Sequence, residues 1–364
     1  MSKKILLLPV NGFGIDGISQ FIYCLILRSS GSDVSFDLFV NGERDSRNVL
    51  ELKYDEIRNK GTNMYFSRRK SIFKYVKALK EVIKSNHYDA VYLHGSSSLV
   101  FYECFLLRLI GFKNIYCHSH NTTCNHRFLH YIFRPFTNLV VKRKFACSRP
   151  AGMWMYGKRK FEVINNGVDV EKFKYSEVLR DKMLNEFSLP KDAVVIGHVG
   201  AFNEQKNHKF IIEIAKKLKS EENIYFLLIG GGPNYPLIES QIKEYNLNNV
   251  RLLGIRNDIN NVINAFDMAI LPSLHEGLPI VCVEWLSNGL KILCSDKISN
   301  DVDLCSSITF LPLEVNEWCA AIKEIIQLKA YQRDETFSQI LREKNFDSIQ
   351  SINHLFSLLI KEEK

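Results

Sequence analysis

Short runs of apolar residues alternate along most of the chain with segments whose apolar residues recur every three or four positions. Residues 5–9 and 90–93 are runs of the first kind, and residues 71–84 carry apolar positions at helical spacing. The first kind predicts a buried strand and the second an amphipathic helix. Strands that alternate with helices indicate a parallel sheet covered by helices on both faces.

This pattern occurs twice, on either side of a polar stretch between residue 168 and about residue 190. In the first half we predict strands at 5–9, 34–40, 90–93, 114–117, 144–147 and 161–164, with helices at 18–27, 71–84, 99–110 and 128–141. In the second half we predict strands at 193–199, 224–229, 250–253, 268–271 and 291–294, helices at 209–219, 237–245, 259–265 and 279–290, and two C-terminal helices. The fold class is therefore α/β, with two Rossmann-like doubly wound domains. Two such domains that face each other would form a cleft, a favoured place for ligands.

Composition narrows the class of protein. The chain has 364 residues, of which 46% are hydrophobic and 24% charged, as in ordinary globular proteins. No run of 18 uncharged apolar residues predicts a membrane-spanning helix, and the apolar run 5–10 is too short for a signal peptide. The nine cysteines form no CxxC pair or metal-binding spacing. They indicate a reducing cytoplasm and no zinc site.

Charge divides the chain into unlike halves. Residues 1–170 hold 26 Lys/Arg and 13 Asp/Glu, a net charge of +13, whereas residues 171–364 hold 22 and 27, a net charge of −5. A basic half suggests an anionic partner such as a membrane surface, a phosphorylated substrate or nucleic acid. Solvated lysines on helix faces are the alternative, and no motif of a nucleic-acid-binding protein accompanies the charge.

Two polar segments of the first half follow predicted strands. Residues 11–17, NGFGIDG, contain three glycines but not the dinucleotide spacing GxGxxG, which favours a flexible loop over a Rossmann cofactor site. Residues 118–122, HSHNT, stand where active sites form in such sheets. We expect a functional role for at least one of His118 and His120.

Two segments of the second half carry charges near predicted helix starts. Lys206 ends the loop 200–207, where an ammonium group and a helix N-terminus together would hold a phosphate. Glu276 follows a strand, and Glu284 lies on an otherwise apolar helix, where a carboxylate is costly unless it binds something. Two carboxylates with a phosphate site between them suit a sugar nucleotide, although this spacing can also arise by chance.

At these residues the sequence resembles the GT4 family of retaining glycosyltransferases, which have the GT-B fold, and the branch of that family associated with capsule and exopolysaccharide synthesis. The resemblance runs through nearly the whole chain, and its specific part is the EX7E pair, Glu276 and Glu284. Further matching segments are the glycine-rich loop, YDAVYLHG (88–95), HSHNT, ACS (146–148), FEVINNGVD (161–169), the loop 200–207 and GGGP (230–233). The resemblance implies domains at 1–168 and 169–345, with a C-terminal helix, about 346–364, that returns to the first domain.

The resemblance also implies roles for individual residues of the second domain. Glu284 would bind the ribose hydroxyls of the donor, and Glu276 the transferred sugar. The amides of Gly277 and Leu278 would bind the diphosphate, together with the cation of Lys206. Two further donor contacts are implied at Asn207 and at Arg256, which would lie at the base.

In the first domain, His120 resembles the histidine near the reacting sugar, with His118 as the second candidate. Gly14 and Gly17 belong to the loop expected against phosphate and sugar. One position departs from the family pattern, because Ala201 stands where an arginine is frequent. Either another basic residue substitutes for that arginine, or the activity is weak.

The implied reaction transfers a hexosyl group from a nucleotide sugar with retention at the anomeric carbon, without a metal or another cofactor. UDP is the nucleotide that family frequency favours. The alternatives are a sugar-nucleotide epimerase, against which the EX7E pair argues, a soluble sucrose-type transferase, and a non-catalytic protein that binds a nucleotide sugar within a polysaccharide assembly complex, which Ala201 favours.

The acceptor is expected on the first domain. Residues 127–145 mix large apolar residues with five cations, Arg127, Arg134, Lys142, Arg143 and Lys144. Such a mixture is typical of an enzyme that lies on an anionic membrane leaflet. We therefore expect a lipid-linked or glycan acceptor, and a cytoplasmic enzyme peripheral at the inner face of the membrane. The alternative is that Phe128, Leu129, Ile132, Phe133 and Leu139 pack into the core.

Overall fold

The computed structural model describes residues 2–10, 12–13, 17–41, 63–68, 70–276 and 278–361. The chain forms two compact units. The first comprises Met1–Asn166 with Gln350–Lys364, and the second comprises Gly167–Ile349. Each unit is built on its own parallel sheet, and each has its own hydrophobic core.

The first unit contains a seven-stranded parallel sheet in the order β3-β2-β1-β4-β5-β6-β7. Its strands are β1 (Lys3–Pro9), β2 (Val34–Asn41), β3 (Asn63–Phe66), β4 (Ala90–Gly95), β5 (Ile115–Ser119), β6 (Arg143–Ala146) and β7 (Glu162–Val163). Its helices are α1 (Gly17–Arg28), α2 (Ile72–Asn86), α3 (Phe101–Leu109), α4 (Arg127–Val140) and α5 (Arg149–Tyr156). The order reverses direction between β1 and β4, which is the position where ligands bind in open α/β sheets.

The second unit contains a six-stranded parallel sheet in the order β10-β9-β8-β11-β12-β13. Its strands are β8 (Val194–Val199), β9 (Ile224–Ile229), β10 (Val250–Gly254), β11 (Met268–Leu271), β12 (Lys291–Ser295) and β13 (Ile308–Leu311). Its helices are α6 (Glu177–Glu186), α7 (His208–Lys217), α8 (Tyr235–Glu244), α9 (Ile259–Val262), α10 (Ile280–Ser287), α11 (Val315–Gln327) and α12 (Phe337–Glu343). Here the order reverses between β8 and β11, and the loops after these two strands carry the charged residues singled out in the sequence.

The final helix, α13 (Ser348–Ile360), returns to the first unit. Its residues Leu355 and Leu359 are fully buried in the core of that unit, and Phe356 lies 5.8 Å from Phe36 between ring centroids. The guanidinium of Arg143 on β6 donates to the carbonyls of residues 358 and 361. Apolar burial and these hydrogen bonds together hold the helix on the sheet.

The alternation of side chains along β4 and β5 decides which residues share a face. Tyr92 and Tyr116 enter the core cluster on one face of the sheet, whereas Leu93 and Cys117 enter the cluster on the other. Because side chains alternate with a period of two, the next residue on the tyrosine face is a histidine in each strand. The two strands pair with His94 opposite His118.

The doubly wound α/β architecture with a returning helix was predicted, but several elements were missed. Strands β3 and β13 and helices α5 and α6 were not predicted, and three helices follow β13 where two were expected. Helix α6 lies in the polar stretch interpreted as a join, and it buries only Met183 and Leu184. Helix α5 contains Gly152, where a Cβ atom would lie 2.1 Å from the ring of Phe161. The close contact with Phe161 thus explains why this helix contains a glycine, a residue that disfavours helices.

Candidate functional site

Two loops of the second unit are joined by backbone and side-chain hydrogen bonds. The amide of Leu274 donates to the carbonyl of Gln205 at 2.8 Å, and the side chain of Gln205 donates to the carbonyl of His275 at 2.9 Å. The side chain of Asn207 donates to the carbonyl of Pro272 at 3.2 Å. These bonds fix the loop after β8 against the loop after β11. Asn207 therefore positions the loops in this structure.

The joined loops bring together two residues predicted for the site, Lys206 and Glu276. The ammonium nitrogen of Lys206 lies 2.7 Å from a carboxylate oxygen of Glu276, and the side chains are only 16% and 11% exposed. The backbone of Glu276 also forms a bridge with Ile298. An ion pair so shielded from water is strong electrostatically and costly to break. It presents a fixed cation beside a fixed acceptor of hydrogen bonds.

Glu284 lies in the second turn of α10, a helix otherwise packed into the core. Its neighbours Val283 and Trp285 are fully buried. Burial raises the pKa of the Glu284 carboxyl to about 7, and the charge of Lys172 opposes that rise. A carboxyl group with this pKa has lost part of its hydration, which polar hydroxyls of a ligand can restore. The candidate donor site thus contains one ion-paired carboxylate and one partly desolvated carboxyl.

Two histidines beside Lys206 were not predicted for the site. His198 is fully buried on β8, donates from Nδ1 to the carbonyl of Ile270 at 2.8 Å, and leaves Nε2 without a partner. His208 stacks on Phe202 with 3.8 Å between ring centroids, and neither of its ring nitrogens has a partner. Burial lowers the pKa of both imidazoles, that of His208 to about 4, and the charge of Lys206 adds to the effect. Both are neutral near pH 7.

A signal for these two histidines existed in the sequence. His198 stands in a strand that leads into the Lys206 loop, and His208 opens the helix that follows it. Gly200 shows how tightly this loop is packed, because a Cβ atom there would lie 3.0 Å from Nε2 of His198. Gly230 has φ +138°, and a Cβ atom there would lie 2.0 Å from the carbonyl oxygen of Gly200. Only glycine fits there.

The other residues predicted to bind the donor do not join the ion pair of Lys206 and Glu276. Leu278 packs partly buried against the core of the second unit, just before α10. Arg256 forms ion pairs with Asp258 at 2.7 Å and with Glu186 at 2.8 Å. Its guanidinium is thus engaged by two carboxylates of its own unit. Gly277 lies outside the described residues.

In the first unit, the two predicted histidines lie together with a third, His94. Nδ1 of His94 and Nε2 of His120 are 3.0 Å apart and form a hydrogen bond, and Nδ1 of His118 forms another with the Tyr92 hydroxyl at 2.8 Å. The rings of His118 and His120 stack with 4.2 Å between centroids. From the sequence, His94 was noted only as part of the matching segment 88–95 and was not included in the site.

Burial sets the protonation of this histidine cluster, which we define as His94, His118 and His120. His94 and His118 are almost completely buried, and His120 is half-buried. Burial lowers the pKa of all three imidazoles, that of His120 to about 3, and the neighbouring imidazoles lower the pKa of the other two further. The cluster is therefore neutral near pH 7.

The glycine-rich loop is described only in part. Gly17 is exposed and is the first residue of α1, and Gly14 lies outside the described residues. Gly12 has φ +91° and lies close to the carbonyl of Asn41. From the end of this loop, α1 brings Phe21 to the histidine cluster, with 4.9 Å between its ring centroid and that of His118.

Helix α4 buries polar side chains and exposes apolar ones, which is the reverse of an ordinary surface helix. Its buried residues are polar: His130 and Thr137, two turns apart. The His130 ring stacks on Trp154 with 3.8 Å between centroids, and its Nδ1 accepts a hydrogen bond from the amide of Ser98 at 3.1 Å. The Thr137 hydroxyl donates to the carbonyl of Ser98 at 2.9 Å. Polar contacts therefore hold the inner face of α4, and its large apolar residues point outward.

The outward apolar residues continue from α4 onto α3. Phe128 is 78% exposed and Leu139 82% exposed. We define the exposed apolar face as Tyr102, Phe105, Leu109, Phe128, Leu129, Tyr131, Ile132, Phe136 and Leu139, all of which are exposed large hydrophobic residues. The alternative interpretation, that Phe128, Leu129, Ile132 and Leu139 pack into the core, is wrong, because polar residues occupy the inner side of the helix. Phe133 is half-buried between the two helices, 5.5 Å from Phe101.

The five predicted cations differ in their surroundings. Arg127 and Lys142 are exposed at the two ends of α4, and Arg134 is half-buried with its guanidinium 5.3 Å from the Tyr131 ring centroid. Arg143 bonds the carbonyls of the returning helix, and Lys144 donates to the carbonyl of Val141 at 2.7 Å. The last two therefore have hydrogen-bond partners within the first unit, and the assignment of the five cations to an acceptor or membrane surface stays a prediction.

Two further features concern membranes and thiols. Across the described part of the chain, no helix combines the length and the apolar character needed to cross a membrane. All nine cysteines are free thiols, and six of them are buried. Cys282 on α10 and Cys294 on β12 lie with 4.0 Å between their sulfur atoms, in the core of the second unit.

Comparison with known proteins supports a glycosyltransferase. Residues 180–334, within the second unit, match the family model for glycosyl transferases group 1. The chain is 28% identical over 379 residues to EpsF of Bacillus subtilis (strain 168), which is named as a glycosyltransferase, and the match covers 98% of this chain and 96% of EpsF. A shorter match, 35% identical over 131 residues and 34% of each chain, is to the UDP-Gal:alpha-D-GlcNAc-diphosphoundecaprenol alpha-1,3-galactosyltransferase of Escherichia coli.

Solved structures share the fold. Anabaena Alr3699/HepE in complex with UDP and glucose superposes with a TM-score of 0.78 and 16% identity, covering 99% of this chain and 100% of that chain. WaaG, a glycosyltransferase involved in lipopolysaccharide biosynthesis, superposes with a TM-score of 0.69 and 12% identity, covering 98% and 100%. The predicted GT-B fold class, with two Rossmann-like domains, is thereby confirmed.

Proposed function

We propose that this protein is a retaining glycosyltransferase that transfers a hexosyl group from a UDP-sugar to a lipid-linked oligosaccharide or glycan acceptor in bacterial capsule or exopolysaccharide synthesis. The observation that carries the proposal is the shielded ion pair of Lys206 and Glu276. The partly desolvated Glu284 follows Glu276 by eight residues. It lies in the unit that matches glycosyl transferases group 1.

Each group of this site has a chemical counterpart in a nucleotide sugar. The Lys206 ammonium complements a diphosphate, the Glu276 carboxylate accepts hydrogen bonds from sugar hydroxyls, and Glu284 accepts hydrogen bonds from ribose hydroxyls. Charge-assisted hydrogen bonds of this kind are about twice as strong as neutral ones. Similarity to HepE, whose structure was solved with UDP and glucose, supports the choice of UDP.

The proposed reaction breaks the bond between the anomeric carbon and the diphosphate oxygen, and forms a bond from that carbon to an acceptor hydroxyl oxygen on the same face. The proton of the acceptor hydroxyl leaves with the departing diphosphate. Negative charge grows on the diphosphate as the bond breaks, and a fixed cation beside it lowers the barrier. Lys206 supplies that cation, so the reaction proceeds without a divalent metal. His120 contributes a polar contact to the reacting sugar from the first unit, with His118 as the second candidate for this role.

The acceptor binds to the first unit, and the exposed apolar face brings it to the membrane. Nine large apolar side chains on two adjacent helices, flanked by the exposed cations Arg127 and Lys142, suit insertion into the headgroup region of an anionic leaflet. The protein would then be peripheral at the inner face of the cytoplasmic membrane. Similarity to the Escherichia coli galactosyltransferase, whose name gives a diphosphoundecaprenol-linked sugar as its acceptor, supports a polyprenyl-diphosphate acceptor.

A second candidate is a protein that binds a nucleotide sugar without turning it over. The exposed Ala201 favours it, because this position lacks the second cation that the family frequently has. A sugar-nucleotide epimerase is a third candidate, which would convert its substrate without an acceptor.

The test offers purified protein a panel of UDP- and GDP-sugars with polyprenyl-diphosphate-linked sugars, in EDTA, and determines the anomeric configuration of any product by NMR. We expect transfer with retention from a UDP-sugar, lost in Glu276→Gln and kept in the exposed Glu317→Gln. Stabilisation by a nucleotide without any product would support the binding protein instead. Conversion without an acceptor would support the epimerase, and an inverted product would exclude the retaining mechanism.

A further inference from the structure

The histidine cluster of the first unit contains more ring nitrogens than its hydrogen bonds use. Two hydrogen bonds occupy Nδ1 of His94, Nε2 of His120 and Nδ1 of His118. The remaining nitrogens, Nε2 of His94, Nε2 of His118 and Nδ1 of His120, are buried and have no partner. A buried polar atom without a partner costs free energy, and three in one cluster indicate a ligand.

The chemistry of the cluster selects the kind of ligand. One ring nitrogen from each of the three side chains lies within 4.8 Å of the others, and no carboxylate or thiolate belongs to the group. Imidazole nitrogens bind zinc, copper, nickel and cobalt ions, whereas magnesium and calcium prefer oxygen. We propose that His94, His118 and His120 together bind one first-row transition-metal ion, with zinc or copper preferred.

The geometry requires a small rearrangement. Tetrahedral zinc at about 2.0–2.1 Å from each nitrogen places the nitrogens about 3.3 Å apart. Nδ1 of His94 and Nε2 of His120 are 3.0 Å apart and share a hydrogen bond, so an ion bound through these two nitrogens would replace that bond. The three rings lie within 27° of parallel, so at least one must turn about its Cβ–Cγ bond to point a lone pair at a shared ion. His120 is half-buried beyond the end of β5, and this torsion is soft in histidine.

The surroundings of the cluster support such a site. The buried hydroxyl of Tyr92 bonds Nδ1 of His118, which orients that ring and directs Nε2 away from the tyrosine. Hydrogen bonds of this kind hold the ligands of known metal sites in place. The ring of Phe21 lies 4.9–5.9 Å from all three imidazoles and limits water on that side. Three protein nitrogens leave a fourth position for water.

The consequence for activity rests on the proposed function, but the binding itself does not. An ion held by His118 and His120 would remove both rings from contact with the reacting sugar. The ion would therefore inhibit transfer. When the ion is absent, the reaction would proceed without a metal.

The test uses untagged protein without donor or acceptor. Cobalt is added while its visible absorption is recorded, and zinc, copper and magnesium are tested as competitors. We expect one cobalt ion per chain, displaced by zinc and copper and not by magnesium. His94→Gln should weaken binding at least tenfold. His354→Gln, which changes an exposed histidine on α13, should leave it unchanged.

Two results would overturn the proposal: no binding up to millimolar cobalt, or equal affinity in wild type and His94→Gln. If His94→Gln does not fold, X-ray absorption of the zinc-loaded wild type decides, because three imidazoles at about 2.0 Å are expected and sulfur ligands would exclude the cluster. A protein that binds the metal but shows no transferase activity after the metal has been removed with EDTA would refute the proposed function and leave the metal site standing.

Discussion

Helices α10 and α4 both depart from the usual arrangement of polar residues outside and apolar residues inside, but in opposite directions. Helix α10 carries Glu284 among fully buried neighbours, whereas α4 buries His130 and Thr137 and exposes Phe128 and Leu139. The first places one charge where water is scarce, which suits a small polar ligand. The second presents a broad apolar surface to solvent, which suits an extended apolar partner.

The largest effect is expected at the ion pair of the second unit. Lys206→Met removes the cation and leaves Glu276 as a shielded charge without its partner, so we expect transfer to fall about 100- to 1000-fold. The measurement is kcat/KM with the best UDP-sugar. Lys323→Met is the matched control, because Lys323 also pairs with a glutamate of this unit, but about half exposed. An equal loss in both variants would show a general effect of charge.

Glu284→Gln tests whether the charge on α10 serves a ligand. We expect the Kd for the UDP-sugar to rise about tenfold, because hydrogen bonds from ribose hydroxyls to an ionised carboxylate would become neutral ones. Isothermal titration calorimetry at pH 8 measures the change. An unchanged Kd would remove Glu284 from the donor site.

The exposed apolar face is tested by Phe128→Ser combined with Leu139→Ser. Burying a large apolar side chain contributes about 1.5–3 kcal/mol, so loss of two should weaken binding to anionic vesicles at least tenfold. Thermal stability should change little because both residues are exposed. Phe73→Ser is the control, since Phe73 is 85% exposed and belongs to a different helix, α2. Failure of the wild type to bind vesicles at low salt would contradict a membrane role.

The last effect concerns stability and pH and does not involve a ligand. The folded pKa of Glu284 is about 7, above the ordinary value near 4.5, so the folded protein favours the proton and loses stability as pH rises from about 4.5 to 7. Glu284→Gln does not titrate. The variant should therefore be more stable than wild type by about 1–3 kcal/mol above pH 7, and the difference should vanish below pH 4.5. Thermal melts from pH 4.5 to 8 without nucleotide measure it; a variant less stable at pH 8 would contradict it.

The fold was largely predictable because its strands are continuous apolar runs and its principal helices are periodic. Helix α6 was missed because a mostly exposed helix of charged residues has no periodic apolar stripe. The inverted orientation of α4 could not be predicted either, because apolar spacing predicts that a helix has an apolar face but not that this face meets solvent. The orientation of α4 is set by two hydrogen bonds to residues distant in sequence. His130 bonds the carbonyl of Trp154, and Thr137 bonds the carbonyl of Ser98.

The candidate site, like the fold, could be predicted from the sequence only in part. Lys206 and Glu276 were predicted from their positions after strands, and their direct contact depends on hydrogen bonds between two loops 65 to 70 residues apart. Arg256 was assigned to the donor through the family resemblance. One of its carboxylate partners, Asp258, is two residues away, and the other, Glu186, lies in α6, which the sequence did not reveal. The grouping of His94 with His118 follows from strand register, which single-sequence patterns do not specify.

The returning helix α13 has a consequence for the making of the protein. Residues 352, 355 and 359 fill the core of the first unit, yet they follow the whole second unit in the sequence. During translation, the core of the first unit therefore cannot be completed until the whole second unit has been synthesised. The segment synthesised first therefore has apolar surface that α13 can cover only after the second unit has been made, and exposed apolar surface of this kind promotes aggregation.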